Sequence, residues 1–480
     1  MRVLRHGRQR SRIGAGRRRK RGFGRRHGLA GPCTLAGAPP PEAGGVAANL
    51  GRATVVLVNA AKRAGDSMLV TRRSCAESGP ATLRGDDPAG PAPEPAQFRL
   101  AKFHAPEIVF GLNSLSEAAH AAVRLGARRP LVVTDPGLIA AGWPAQLLSQ
   151  LREAGLRPRT WYDLTPNPKD HEIEAGFEFY AAEGCDVVLG IGGGSVIDAA
   201  KGIALLASNG GRILDYEGID RIANPIPPLV MIPSTSGTGA DVSQFCIVTD
   251  TARRNKVTIM GRALVPDVSI VDPRLLITMP DDLNAATGLD ALTHGIEAFV
   301  SLAHNPLTDT HALQAVSLVT GNLAHTMYER NDISARLCMA QAALEAGLAF
   351  TNAILGATHA MSHQVGGLLD LPHGVVNGVL LPHVIRFNGS AEPERFRSIA
   401  VAMNLSLHPE TPGDEAAERV AAHARQLADD VGVPKGLAEL GVSEDDLPRL
   451  AELTMADACL TTNPRAASVE DIERLFRAAL

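Results

Sequence analysis

No run of about 18 consecutive apolar residues occurs in this 480-residue chain, so no membrane span is expected. Cysteine is scarce and scattered: Cys33, Cys75, Cys185, Cys246, Cys338 and Cys459 include no C-x-x-C pair. That spacing argues for reduced thiols in a cytoplasmic protein over a disulfide framework, with Cys185 and Cys246 placed in the core by their apolar neighbours. The N-terminus lacks a compact apolar segment, which speaks against secretion. It also lacks acidic residues: residues 1–28 carry twelve Arg or Lys and no Asp or Glu. The rest of the chain keeps 35 of the 47 basic side chains against all 51 acidic ones, a balance that argues against nucleic acid as the main partner. No internal repeat is present.

Residues 1–97 differ in texture from the remainder of the chain. The charge block Arg17-Arg18-Arg19-Lys20-Arg21 and the linker-like Pro39-Pro40-Pro41 and Pro88-Ala89-Gly90-Pro91-Ala92-Pro93 bury too little apolar surface to offset chain entropy. A disordered extension is expected there, with Met68 as an alternative start. From residue 98, strands alternate with helices: Leu131–Thr134, a helix over 136–154, Thr160–Tyr162, a helix over 171–183, Asp186–Ile191, a helix over 195–208 and Leu229–Ile232. Such alternation implies parallel strands with crossover helices, a Rossmann-like domain over 98–282. A hairpin is expected from 244–249 and 256–260, and one more strand at 268–271. Beyond Met279-Pro280 strand signals vanish, and Ala and Leu recur at helical spacing with breaks near Pro306, Pro372, Pro382 and Pro434. An all-helical domain over 283–480 is expected.

Gly192-Gly193-Gly194-Ser195 stands between a buried strand and a helix. Glycines let the backbone approach a phosphate, and the helix N-terminus turns free N–H groups towards it. This is not the G-x-G-x-x-G fingerprint; Ser195 with Asp198 is expected to cap the helix. A second loop, Pro233-Ser234-Thr235-Ser236-Gly237-Thr238-Gly239, leaves the carboxyl end of the next strand, where ligands of parallel sheets sit. Two such loops favour a dinucleotide. Asp135, after the first strand, either accepts from an adenosine ribose, which favours NAD over NADP, or starts a helix.

Downstream, Asp290 and His294 are four residues apart, as are His359 and His363, and Pro372-His373-Gly374 comes next. Helical neighbours at i and i+4 share a face. Asp290, His294, His359 and His373 offer one oxygen and three nitrogens, a set that suits Fe2+ or Zn2+ over Mg2+ or Ca2+. His363, one turn from His359, is either a proton shuttle or a packing residue. His304, His311 and His383 have no comparable partners and are left as structural.

These motifs, in this order, resemble the iron-containing (group III) alcohol dehydrogenase family. Gly192 to Lys201 looks like its GGGSxxDxAK segment, Pro233 to Asp241 like its PTTSGTGSE loop, Gly288 to Glu297 and His359 to Gly374 like its metal segments, and Asn463-Pro464-Arg465 like its ending. Ser234, Ala240 and Asp241 depart from the loop pattern. The resemblance implies metal ligation by Asp290, His294, His359 and His373. It implies a dinucleotide lined by Gly193, Gly194, Ser195, Asp198, Ser234, Thr235, Thr238 and Lys256, with Asp135 and Asn167 near the adenosine. The implied activity is NAD- and Fe2+-dependent interconversion of small primary alcohols and aldehydes, in a homodimer or larger assembly. A zinc polyol or glycerol dehydrogenase is the rival. A cyclase of the dehydroquinate synthase type shares the architecture, but it needs a basic cluster that residues 283–374 lack.

Overall fold

The computed structural model describes residues 102–480 apart from Pro409. The extension expected over residues 1–97, with Met68, lies outside the described residues. The first half runs β1 (Glu107–Phe110), α1 (Ala118–Arg124), β2 (Leu131–Val133), α2 (Pro136–Ala141), α3 (Trp143–Glu153), β3 (Arg159–Trp161), α4 (Asp170–Glu183), β4 (Val188–Gly192) and α5 (Gly194–Asn209). It continues through β5 (Gly218–Ile219), β6 (Leu229–Pro233), β7 (Phe245–Asp250), β8 (Asn255–Met260) and β9 (Val268–Val271). Six strands form one wholly parallel sheet in the order β1-β9-β6-β4-β2-β3. Strands β7 and β8 form the expected antiparallel hairpin, with β5 alongside.

The central strands are apolar at every position because both faces of the sheet are covered. Leu131 and Val133 of β2, Val188 of β4 and Met231 of β6 join one cluster, while Val132, Leu189, Ile191, Val230 and Ile232 join the other. Alternate side chains of each strand therefore serve opposite layers. All six strands point the same way, so the loops after β2, β3, β4 and β6 emerge along one edge.

Among the described residues after β9, the chain is helices and turns. They are α6 (Asp281–Val300), α7 (Pro306–Tyr328), α8 (Ile333–Ala353), α9 (Ala357–Leu369), α10 (His373–Asn388), α11 (Pro393–Ala402), α12 (Gly413–Asp430), α13 (Leu447–Met455) and α14 (Val469–Ala478). Every residue of α6 from Asn284 to Val300 is buried, so this helix is the axis of the helical half. The fully buried Arg336 ties α8 to it, donating to Asn284 Oδ1 at 2.8 Å and to the Arg330 carbonyl at 3.0 Å. No single described helix is long and apolar enough to cross a membrane.

Three local expectations are corrected. The helix expected over 136–154 breaks at Gly142, whose φ of 89° ends α2, and Pro144 sits in the first turn of α3. Pro382 lies inside α10 instead of breaking it. Burial of Val379, Leu380, Leu381, Val384 and Ile385 outweighs the one backbone bond that proline removes. Ser195 and Asp198 do not cap α5: the N-cap is Gly193, with no side-chain bond. Ser195 Oγ instead accepts the Asn167 N–H at 3.0 Å.

Candidate functional site

Strands β4 and β6 are neighbours, and Gly192 pairs with Pro233 at their carboxyl ends. The loops leaving these two strands are therefore in contact, and the Ser234 N–H donates to the Gly192 carbonyl at 2.9 Å. A Cβ on Gly194 would stand 2.8 Å from Thr238 Cγ2, and one on Gly193 would stand 3.2 Å from Thr235 Cγ2. At Gly194 a Cβ would force Thr238 to shift, whereas at Gly193 Thr235 need give only a few tenths of an ångström. Thr235 Oγ1 and Ser236 Oγ are buried without a hydrogen-bond partner, an arrangement that leaves donors for a ligand beside the helix terminus. Asp241, shorter than the family's glutamate, pins the end of this loop to β9 by accepting from the Ser269 hydroxyl at 2.6 Å.

The remaining expected dinucleotide contacts fall in two groups. Asn167, held at φ 55°, accepts from Lys256 Nζ at 2.8 Å and donates to Asp370 Oδ1 at 2.7 Å, bridging sheet loops to the end of α9. Burial pushes the Lys256 ammonium down to about 8, against the opposing pull of the Asp370, Asp290 and Asp198 carboxylates. Asn167 meets the glycine loop through its N–H bond to Ser195 Oγ, and Lys256 reaches it through Asn167. Asp198 and Asp135 also make bonds within the protein. Burial raises Asp198 to about 7; it faces Lys201 and accepts the Ile247 N–H inside the sheet layer. Asp135 is the N-cap of α2, accepting the Leu138 N–H at 2.9 Å. The cap bond uses Oδ1 alone, so the helix start and a ribose contact are compatible.

The second cluster is built on α6, α9 and α10. Asp290, His294 and His359 are all buried, and their ligand atoms lie within 4.8 Å of one another. Each imidazole is oriented by a partner on its other nitrogen, as metal ligands generally are. His294 Nδ1 faces the Gly237 carbonyl at 3.2 Å, leaving Nε2 3.8 Å from Asp290 Oδ1. His359 Nδ1 meets Glu297 Oε2 at 2.6 Å, leaving Nε2 3.6 Å from the same Asp290 oxygen. Glu297 also accepts the N–H groups of Gly356 and Thr358, which fixes the start of α9. Asn377 Nδ2 lies 2.8 Å from Asp290 Oδ1 and 3.2 Å from His359 Nε2, while Asn377 Oδ1 has no partner. His373 stands beside the triad, its ring centroid 5.1 Å from that of His359, and its Nδ1 bonds Ser362 Oγ at 2.7 Å. The structure thus converges three of the four expected ligands and places the fourth alongside.

Electrostatics shows that the cluster fits a cation. Burial alone would push His359 down, yet its bonds to Asp290 and Glu297 raise it to about 9. In the metal-free protein two carboxylates therefore hold a proton where a divalent ion would carry the charge. Because the folded value exceeds the usual 6.5, this proton stabilises the metal-free fold fully below about pH 6.5. The contribution is lost as pH rises through about 9. The stability margin of metal-free wild type over His359→Gln, measured by urea unfolding, is expected to shrink between pH 6.5 and 9; a margin that grows over that interval would contradict it.

His363, Asp457 and Cys459 also bring ligand atoms within 4.8 Å. Burial holds the Cys459 thiol well above its usual range, and Asp457 already accepts from His363 Nδ1, Gln364 Nε2 and the Cys459 N–H. A satisfied hydrogen-bond network, with a thiol that stays protonated, is no second ion site. Phe350 stacks on His294 with centroids 4.3 Å apart, giving the Asp290–His294–His359 cluster an apolar wall.

Glu297, Asn377 and Asp457 carry no role in the reading of the sequence. Glu297 continues the face of Asp290 and His294 at i+7 and is detectable by that spacing. Asp457 is 94 residues from His363 and has no local signal.

Comparison with known proteins accounts for this arrangement. Residues 105–273 match the model of the iron-containing alcohol dehydrogenases, and residues 284–480 match that of the C-terminal region of the Fe-containing alcohol dehydrogenase family. The chain is 41% identical over 385 residues to the 1,3-propanediol dehydrogenase of Klebsiella pneumoniae, covering 80% of this chain and 99% of that protein. It is 39% identical over 378 residues to the NAD-dependent methanol dehydrogenase of Bacillus methanolicus, covering 79% and 99%. A crystal structure of 1,3-propanediol oxidoreductase superimposes with a TM-score of 0.77 at 41% identity, over 80% of this chain and all of that one. These matches show that this chain, with its glycine-lined loops at the edge of a parallel sheet and its buried Asp-His-His cluster on helices, belongs to the iron-containing alcohol dehydrogenase family of oxidoreductases.

Proposed function

We propose that the protein is an NAD-dependent, Fe2+-dependent dehydrogenase that interconverts small primary alcohols and aldehydes. The observation that carries this reading is the meeting of the two clusters: the loop holding Thr235 and Thr238 also supplies, through Gly237, the carbonyl that orients His294. Asp290, His294 and His359 would hold the ion, with His373 as fourth ligand in exchange for its bond to Ser362. When bound, the ion supplies Lewis acidity towards the substrate oxygen and the dinucleotide supplies the hydride acceptor.

The chain's own residues do the rest. Gly193, Gly194 and the α5 terminus receive the pyrophosphate, Ser195, Ser234, Thr235 and Thr238 supply hydroxyls, and Asn167 and Lys256 flank the ribose. The Phe350 ring excludes water beside His294. His363 takes the proton released by the alcohol. The same nitrogen–oxygen donor set also accepts Zn2+. We read the protein as cytoplasmic and homo-oligomeric, binding neither nucleic acid nor membrane.

Metal-stripped protein, reloaded with Fe2+ or Zn2+ and assayed for NADH with ethanol, 1-butanol, 1,2-propanediol and 1,3-propanediol, tests the reading. Fe2+ is expected to restore activity at one ion per chain. Restoration by Zn2+ alone would move the assignment to the polyol dehydrogenases, and no NADH with either ion would remove it.

A further inference from the structure

We propose that Asp457 is a positioning residue for the reaction: it fixes the tautomer of His363 so that Nε2 is the proton acceptor. The inference rests on the dehydrogenase reading for what His363 does, but not for how it is held. Asp457 Oδ2 lies 2.9 Å from His363 Nδ1, and both side chains are more than nine-tenths buried. An ionised carboxylate can only accept, so in the neutral imidazole Nδ1 carries the proton and Nε2 keeps its lone pair. Nε2 makes no hydrogen bond among the described residues. The His363 ring stacks on His373 at 5.1 Å and meets the edge of His359 at 6.2 Å, which brings it to the border of the metal cluster.

The carboxylate is itself held from several directions. Oδ1 accepts the Cys459 N–H at 2.9 Å, and Oδ2 also takes Gln364 Nε2 at 3.2 Å. The turn after Asp457 is anchored to the helices around the cluster. Thr462 Oγ1 donates to the Leu355 carbonyl at 2.6 Å, and Asn463 Oδ1 accepts the Ala357 N–H at 3.1 Å. Asn463 also exchanges amide bonds with Asn388 at 2.9 and 3.0 Å. The C-terminal Asn-Pro-Arg segment thereby secures Asp457 under His363. It is the same device that Glu297 provides for His359, applied to a histidine outside the converged triad. Carboxylate–imidazole pairs set the tautomer in this way in hydrolytic triads, where loss of the carboxylate costs about four orders of magnitude.

Asp457→Asn preserves size and the bond from Cys459, and replaces the acceptor shared by His363 and Gln364 with a donor. In 15N-histidine-labelled, metal-free protein, His363 is expected as the Nδ1–H tautomer in wild type and Nε2–H in the variant, with His363→Gln to assign the signal. In loaded enzyme, kcat is expected to fall on the order of a hundredfold or more with KM for the alcohol little changed. Asp457→Glu should restore part of it. In a His363→Gln background, Asp457→Asn should have no further effect. An Nε2–H tautomer in wild type would overturn the proposal even if every variant misfolds, as would equal losses in both backgrounds. Wild type that makes no NADH from any alcohol while showing the Nδ1–H tautomer would remove the dehydrogenase reading and leave the positioning intact.

Discussion

Asp290→Asn is expected to lose the bound metal and at least three orders of magnitude in kcat/KM while keeping the fold. The change is nearly isosteric, so packing of α6 is preserved. What disappears is the one anionic ligand of a buried set. The Asp290 carboxylate is held well below its usual range: burial opposes its charge, but the His294, His359 and His373 imidazoles outweigh that cost. It is also the atom on which the Nε2 groups of His294 and His359 converge. An amide there offers a neutral oxygen or a repelling NH2 group. Removing its charge should also let His359 shed its proton at a lower pH, since Asp290 is one of the two carboxylates that raise it. Metal analysis, circular dichroism and steady-state rates on one preparation decide the matter. Full metal content and full activity in Asp290→Asn would remove this carboxylate from the site.

Gly374→Ala is expected to lower stability by about 3 kcal/mol or more and activity by about a hundredfold. A Cβ on Gly374 would lie 1.9 Å from the Ala286 carbonyl oxygen and 2.5 Å from its carbon. The Cβ position is fixed by the backbone and the atoms it meets are backbone, so no rotamer relieves the clash and α10 must retreat from α6. That helix begins with His373 and carries Asn377, which bonds Asp290. A displacement of about one ångström at this crossing therefore reaches the ligand set directly. Gly321→Ala on α7 is the matched control, because nothing lies within 4 Å of its added carbon. There the helix should be unchanged or stabilised by up to about 1 kcal/mol. Thermal unfolding of the two variants beside wild type checks both; comparable stability for both would refute the close-approach argument.

What is legible in the sequence is local. Asp290–His294 and His359–His363 announce themselves because helical neighbours at i and i+4 share a face, and Leu131-Val132-Val133 reads as a strand because both of its faces are covered. Gly142 is misread because a glycine in an apolar helical pattern looks tolerated until its φ is known. The four-residue edge strand Glu107–Phe110 offers no alternation to detect. Ser195 reads as a cap, but the alternative bond from Asn167, 28 residues away, displaces that role. Asn377 and Asp457 depend on how α10 and the C-terminal turn pack, and no spacing rule reaches across those distances.

The hydrogen bond between His294 and the Gly237 carbonyl has a thermodynamic corollary. On the proposed reading, His294 holds the metal and the Gly237 loop lines the dinucleotide, so ordering either side of this contact biases the other. Free-energy conservation around the binding cycle then imposes reciprocity. Whatever factor Fe2+ contributes to NAD affinity, NAD must contribute to Fe2+ affinity, so saturating dinucleotide would slow the loss of iron to a chelator wherever iron tightens the dinucleotide.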